Sequence, residues 1–237
     1  MAPQCTLYSH KGPGPNPLKA AILLEKLCLS YDVVPLDFGD DPEKGVKSDK
    51  FLKLNPNGRV PALVDHQNKD YTVWESGAIL YYLCEKYDKG GKFNGSSVDD
   101  KGIVMQWLTH QLSGLGPAQG QVNYAHHYWV PTYGEEPCKS VFTRYEGETR
   151  RLYKLLDDQL AMQSKRGSQW IALDRPTIAG ECRHVHRLNS AESLYFAPTS
   201  RLCLLPLDQH RRLCQAGRQC ISPCAKVAYN FASRSRR

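Results

Sequence analysis

Three short stretches carry residue types suited to gripping a small charged ligand. The first is Asn55-Pro-Asn-Gly-Arg-Val-Pro-Ala-Leu-Val-Asp65, a polar turn that runs into an apolar strand opening with a proline. Arg59 in this turn offers a planar fork of N–H donors, which pairs naturally with a carboxylate. The second, ten residues on, is Glu75-Ser-Gly-Ala-Ile-Leu80. At a strand-to-helix junction there, the Ser76 hydroxyl and the first helical amides can hold a carboxylate, because those amides lack helical partners and carry partial positive charge. The third is His10-Lys-Gly-Pro-Gly-Pro-Asn-Pro17. Asn16 is a good N-cap and Pro17 suits the first helical position, so a side-chain amide would stand at the start of a helix.

These stretches need a scaffold, and the sequence spells one out. Cys5 to Ser9 reads as a strand. Leu18 to Leu29 reads as a helix with Ala20, Leu23, Leu24 and Leu27 on one face. Asp32 to Asp37 is a second strand, followed by an acidic loop and a short helix around Ser48 to Leu54. Pro61 to Asp65 and Tyr71 to Trp74 make an antiparallel pair, and Ser76 caps a helix running to about Tyr87. This βαβ then ββα order is that of an α/β thioredoxin-like domain over residues 1–88. Residues 89–100, rich in Gly, Lys and Ser, read as a linker. An all-helical region follows over 101–180, with one helix from Lys101 to Gln121 interrupted at Ser113-Gly-Leu-Gly-Pro117 and a second from Ser140 to Gln163.

Composition divides the chain again. The 237 residues carry a net charge of +7, yet residues 1–180 hold 21 basic and 21 acidic side chains, which cancel. All of the excess lies in 181–237, a segment that also holds five of the nine cysteines. That basic, Cys-rich tail has no sustained helical period and reads as an altered reading frame or retained intron, or else as a lineage-specific extension. Of His210, Cys214, Cys220 and Cys224, only the Cys220–Cys224 pair has the spacing of a zinc knuckle, so no metal site is expected. No stacking aromatics are interleaved with the arginines, so nucleic acid is not an expected partner. Met1 to Leu7 lacks the basic start and apolar run of a signal peptide, and no apolar stretch approaches the roughly 20 residues of a membrane helix. A soluble, cytoplasmic chain is the expectation.

The motifs together resemble the glutathione transferase superfamily, in the nu-type branch related to the fungal nitrogen-catabolite regulator. The resemblance rests on the Asn55–Asp65 and Glu75–Leu80 stretches and on the opening Leu7-Tyr-Ser-His with Gly14-Pro-Asn-Pro17. It continues in Gln106-Trp-Leu-Thr-His-Gln-Leu-Ser-Gly114, in the helix holding Arg150-Arg-Leu-Tyr153, and in Asp174-Arg-Pro-Thr-Ile-Ala179. It covers residues 4 to about 179.

What it implies is specific. The Val60–Pro61 bond is cis, leaving the Val60 amide and carbonyl to pair with an extended peptide as in strand addition. Arg59, Val60, Pro61, Glu75 and Ser76 bind glutathione as co-substrate. Asn16 stabilises its thiolate, the role of the matching Asn in relatives, although the plain N-cap remains open. His110, Gln111, Ser113 and Tyr124 line an electrophile pocket between the domains. The protein would be a homodimeric transferase that conjugates glutathione to an electrophilic small molecule, or reduces disulfides with it, in detoxification or secondary metabolism. The alternatives are a non-catalytic glutathione-binding regulator and a degenerate product with an incomplete second domain. The family follows Ala179 with an Asp that completes a capping box with the Thr, whereas this chain has Gly180.

Overall fold

The computed structural model describes residues 2–11 and 14–180, so the tail expectations for 181–237 lie outside the described residues. Within these, the chain divides into two compact units, one ending at Asn94 and the other beginning at Gly95.

The first unit is a four-stranded sheet with helices on both faces. Its strands are β1 (Cys5–His10), β2 (Tyr31–Leu36), β3 (Ala62–Asp65) and β4 (Tyr71–Trp74), in the order β2-β1-β3-β4. β1 and β2 are parallel, whereas β3 is antiparallel to both β1 and β4. Helix α1 (Pro15–Lys26) makes the crossover, α2 (Asp49–Leu52) is a single turn, and α3 (Ser76–Tyr87) closes the unit. This is the thioredoxin-like arrangement expected. Leu7, the run Ala20–Leu24, Leu63, Ile79, Leu80 and Leu83 are fully buried where α1 and α3 pack together and against the sheet. A second cluster, Leu36, Val46, Phe51, Val60 and Ala62, packs with Tyr8 and Val34. Ser48 caps α2, its hydroxyl accepting from the Phe51 amide at 3.3 Å.

Asp65 is the polar anchor of this unit. Its carboxylate is wholly buried and accepts from Tyr82 Oη at 2.7 Å, Tyr87 Oη at 2.6 Å and the Gln67 amide at 2.9 Å. A buried charge is tolerated when its lone pairs are met in this way. The two tyrosines thereby pin α3 to the end of β3.

Two helix starts differ from the sequence reading. Helix α1 begins at Pro15 with Gly14 as N-cap, so Asn16 is the second helical residue and caps nothing. Pro15 and Pro17 both fit the first turn, where amides have no helical partner, so the prolines did not single out one start. Likewise Ser76 is the first residue of α3, and Glu75 is its N-cap with no side-chain capping bond.

The second unit contains α4 (Val98–Thr109), α5 (Gly116–His127), α6 (Trp129–Tyr133) and α7 (Lys139–Lys165), with α5 packed on α7. Ser97 caps α4 through the Asp100 amide at 3.0 Å. The interruption expected at Ser113–Pro117 takes the form of a π-helical turn, His110–Leu115, that joins α4 to α5. Pro117 has no N–H to give to the preceding turn, and a wider turn absorbs the missing bond. After α7, Gln159 donates to the Ile171 carbonyl at 2.9 Å and Gln163 to those of Trp170 and Leu173, folding the chain back under the helix. Thr177 is 1% exposed, and its hydroxyl has no partner. A Cβ at Gly180 would meet no neighbour within 4 Å among the described residues.

Two outcomes follow from this packing. Gly180→Asp should complete the reciprocal cap with Thr177 and add about 1 kcal/mol to stability. A thermal midpoint unchanged or lowered would contradict that reading. The second concerns alkaline pH. Burial first, and the Asp65 charge second, push the Cys5 thiol up to about 12. Burial and then the hydrogen bond to Asp65 push Tyr82 and Tyr87 well above the ordinary tyrosine range. All three are neutral when protonated, so their contribution is fully present below the unfolded values, about 8.5 for Cys and 10 for Tyr. It is lost as pH rises toward the folded values. Denaturant midpoints should therefore fall above about pH 9; a midpoint flat into the tyrosine range would show that the anchor does not hold these protons.

Candidate functional site

The Asn55–Pro61 loop is shaped by one buried side chain. Asn55 is 1% exposed; its amide donates to the Arg59 carbonyl and its oxygen accepts the Asn57 amide at 3.0 Å. The Gly58 amide closes the turn on the Asn55 carbonyl at 2.9 Å. Gly58 itself sits at φ +60, where a Cβ would fall 2.7 Å from Lys47 Nζ and 2.9 Å from the Val46 carbonyl. Only glycine fits there. The turn delivers Arg59 to the surface and keeps Val60 and Pro61 buried, with the Val60–Pro61 bond cis. The sheet ladder begins at Ala62, so the Val60 main chain stands outside it.

The second segment is the β4–α3 junction. Glu75 is exposed and held at φ +70, a conformation uncommon for a residue with a side chain and costing on the order of 1–3 kcal/mol. Ser76 is buried behind it at the head of α3, its hydroxyl not spent on capping. Asn57 Nδ2 donates to the Glu75 carboxylate at 3.4 Å. That contact brings the Arg59–Val60 loop and the Glu75–Ser76 junction together.

The third segment is the turn between β1 and α1. The β1–β3 register ends with Tyr8 opposite Ala62, so Val60 and Pro61 lie at the same end of β1 from which the chain turns into α1. Asn16 is exposed in the first turn of that helix. Ser9 is fully buried, its hydroxyl donating to the His10 carbonyl at 3.2 Å. His10 stacks on Phe38 with ring centroids 4.0 Å apart, and burial pushes its imidazole below the usual histidine range against an opposing bond to the Leu36 backbone.

Sequence reasoning missed two residues here. Lys47 reaches the loop, its ammonium donating to the Asn57 carbonyl at 2.9 Å. Nothing in a lone lysine of an acidic loop signals that. Asn57 lay inside the motif, but its link to Glu75 depends on the fold.

Of the four residues expected to line an electrophile pocket between the domains, His110, Gln111 and Ser113 lie in the π turn and Tyr124 in α5. His110 is half-buried with both ring nitrogens unpartnered, its imidazole pushed down by burial and, less, by Arg151. Gln111 points into the core beside Trp107 and Leu156. Ser113 faces a groove between α5 and α7. Tyr124 joins an aromatic group with Tyr128, Trp129 and Tyr133. Among the described residues, no cluster of three His, Cys, Asp or Glu is placed to hold a metal ion.

Comparison with known proteins agrees with this geometry. Residues 3–85 match the glutathione S-transferase N-terminal domain. Glutathione S-transferase 2 of Schizosaccharomyces pombe is 46% identical over 157 residues, which span 65% of this chain and 64% of that protein. The glutathione transferase URE2P8 from Phanerochaete chrysosporium, crystallised with oxidized glutathione, superposes with a TM-score of 0.78 at 30% identity, covering 99% of this chain and 97% of that one. The nitrogen regulation fragment of the yeast prion protein Ure2p superposes with a TM-score of 0.77 at 26% identity, covering 96% of each chain. With the cis-proline loop, the Glu-Ser helix start and an Asn at the head of α1 on one scaffold, the chain belongs to the glutathione transferase superfamily, in its Ure2-related branch.

Proposed function

We propose that the first unit binds glutathione and ionises its thiol for attack on an electrophilic small molecule. The observation that supports this reading is the Asn57–Glu75 contact, which brings the Arg59–Val60 loop beside the first residues of α3. Glutathione is an extended tripeptide with a carboxylate and an amine at its γ-glutamyl end. Its main chain pairs with Val60, presented by Pro61, in the manner of an added strand. The γ-glutamyl carboxylate lies on the first amides of α3 and the Ser76 hydroxyl, and the amine on Glu75. Arg59 and Lys47 take the carboxylate at the other end.

This places the thiol near the head of α1. A free thiol of pKa about 8.5 is only roughly 3% ionised at pH 7. Lowering that by about two units gives roughly three-quarters thiolate and requires about 2.7 kcal/mol of preferential stabilisation. The α1 N-terminus supplies part, and the Asn16 amide, not consumed by capping, donates the rest. The turn Gly12–Asn16 contains no cysteine, so disulfide reduction, if catalysed, uses glutathione as the sole thiol. In this reading the enzyme acts as a homodimer in the cytoplasm. Among the described residues no helix is long and apolar enough to cross a membrane.

A second reading, a glutathione-binding regulator without turnover, is favoured by the likeness to the Ure2p nitrogen regulation fragment. Turnover of a generic aromatic halide or a small mixed disulfide distinguishes the two. For the enzyme, Asn16→Ala should lower turnover at least tenfold while glutathione binding persists. Stability should change by no more than about 0.5 kcal/mol, because Asn16 caps nothing. Equal turnover in variant and parent would remove Asn16 from the chemistry.

A further inference from the structure

Ionising a thiol means giving its proton to something. Asn16 and the first amides of α1 are donors that steady the sulfur, but no donor takes the proton away. His10 is placed to do so. It is the last residue of β1, and a Cβ built on Gly14, the N-cap of α1, would lie 3.7 Å from its Cδ2. Its Nδ1 is buried and has no hydrogen-bond partner. Buried polar atoms are nearly always paired, so an open one beside a proposed site has capacity that the ligand-free fold does not use.

The ring is held in place from both strands. β1 and β2 end in register, with His10 opposite Leu36. Phe38, just past the end of β2, stacks on the imidazole with centroids 4.0 Å apart and planes 28° apart. The backbone on both sides of Phe38 is bonded: the Asp37 amide donates to the Lys44 carbonyl at 2.7 Å, and the Gly39 carbonyl accepts the Lys47 amide at 2.8 Å. Phe38 is nevertheless 81% exposed. A large apolar ring kept in water by a pinned segment gains little from burial. What it does is cover one face of His10.

The charges nearby leave the imidazole available. Lys11 and Asp37, next to the stacked rings in the chain, are paired with each other at 2.6 Å, and the first turn of α1 holds no acidic side chain. Burial pushes His10 below the usual histidine range, with the Leu36 backbone opposing. The free imidazole is therefore neutral at about pH 7, with one nitrogen open to a proton. A thiolate forming beside it would raise its hold on that proton, because opposite charges stabilise each other.

We propose that His10 takes the proton of the bound glutathione thiol and keeps it as an imidazolium beside the thiolate, with Phe38 positioning the ring. This rests on the glutathione-binding reading of the first unit. The S–H bond breaks, an N–H bond forms on the imidazole, and the electron pair stays on sulfur. When the sulfur attacks the acceptor, the departing anion or the solvent takes the proton from His10.

The test counts protons. Glutathione is mixed with the full chain in weakly buffered solution at about pH 7, where the free thiol is mostly protonated. Thiolate is read by its ultraviolet absorbance and proton release by a pH indicator. S-methylglutathione, which lacks the thiol proton, supplies the baseline. The parent should form thiolate while releasing well under one proton for each. His10→Gln should release close to one for each thiolate it still forms. Phe38→Ala, a change at an exposed position, should move the count the same way. A role of His10 in packing alone would not alter it. One proton released per thiolate by the parent, a result that needs no variant to fold, would overturn the assignment of His10 and leave glutathione binding and ionisation standing. Glutathione bound without thiolate would overturn the ionisation and His10's part in it. No glutathione bound at all would overturn the first-unit reading, and this inference with it.

Discussion

A buried asparagine side chain governs the geometry on which the functional reading stands. Asn55 has no backbone ladder to join, yet its amide and carbonyl oxygen fix both ends of a four-residue turn from inside the fold. Because the turn is held from within, its outer side carries only the Lys47 and Glu75 contacts of Asn57. Arg59 faces outward, Val60 keeps its main chain outside the ladder, and Asn57 reaches across to Glu75. Remove that side chain and the Arg59 carbonyl and the Asn57 amide lose the partner that holds the turn. The loop would also lose the shape that aligns it with α3.

The same logic recurs at Asp65. Two tyrosine hydroxyls and one amide meet a carboxylate that could not otherwise be buried, and in doing so they fasten α3 to β3. Helix α3 begins at the Glu75–Ser76 junction and is anchored farther along by those bonds. Its first amides are therefore presented from a fixed helix rather than a fraying one. Glu75, held at positive φ, sits where the strand is forced to hand over to the helix. In the proposed binding mode this is the place where a ligand amine would need a carboxylate.

Much of the first unit was legible because its signals are local. Val-Pro-Ala-Leu after a polar turn and Glu-Ser-Gly before an apolar helix carry their meaning within a few residues. The start of α1 was not, since three prolines and two glycines between Gly12 and Pro17 permit several starts. The choice of Gly14 is made by the fold and moves Asn16 from cap to exposed helix face. Lys47 was invisible because its partner, the Asn57 carbonyl, is a backbone group ten residues away. In the second unit, His110, Gln111 and Ser113 were expected at an electrophile pocket on the family resemblance. A π turn shifts the helical phase between His110 and Leu115, so neighbours in the chain face different ways. Gly180 was read as a missing half of a cap, and the unpartnered Thr177 hydroxyl is its structural counterpart.

Thermal unfolding of the full chain with and without millimolar glutathione tests the central claim most directly. The account predicts one cooperative transition for the first unit that moves up with ligand, by roughly 2.7 kcal/mol of added stability at about 100 times the Kd. A cooperative transition that glutathione leaves in place would contradict it. The Asn55 turn and the α3 start would then be a folded scaffold without the grip assigned to them.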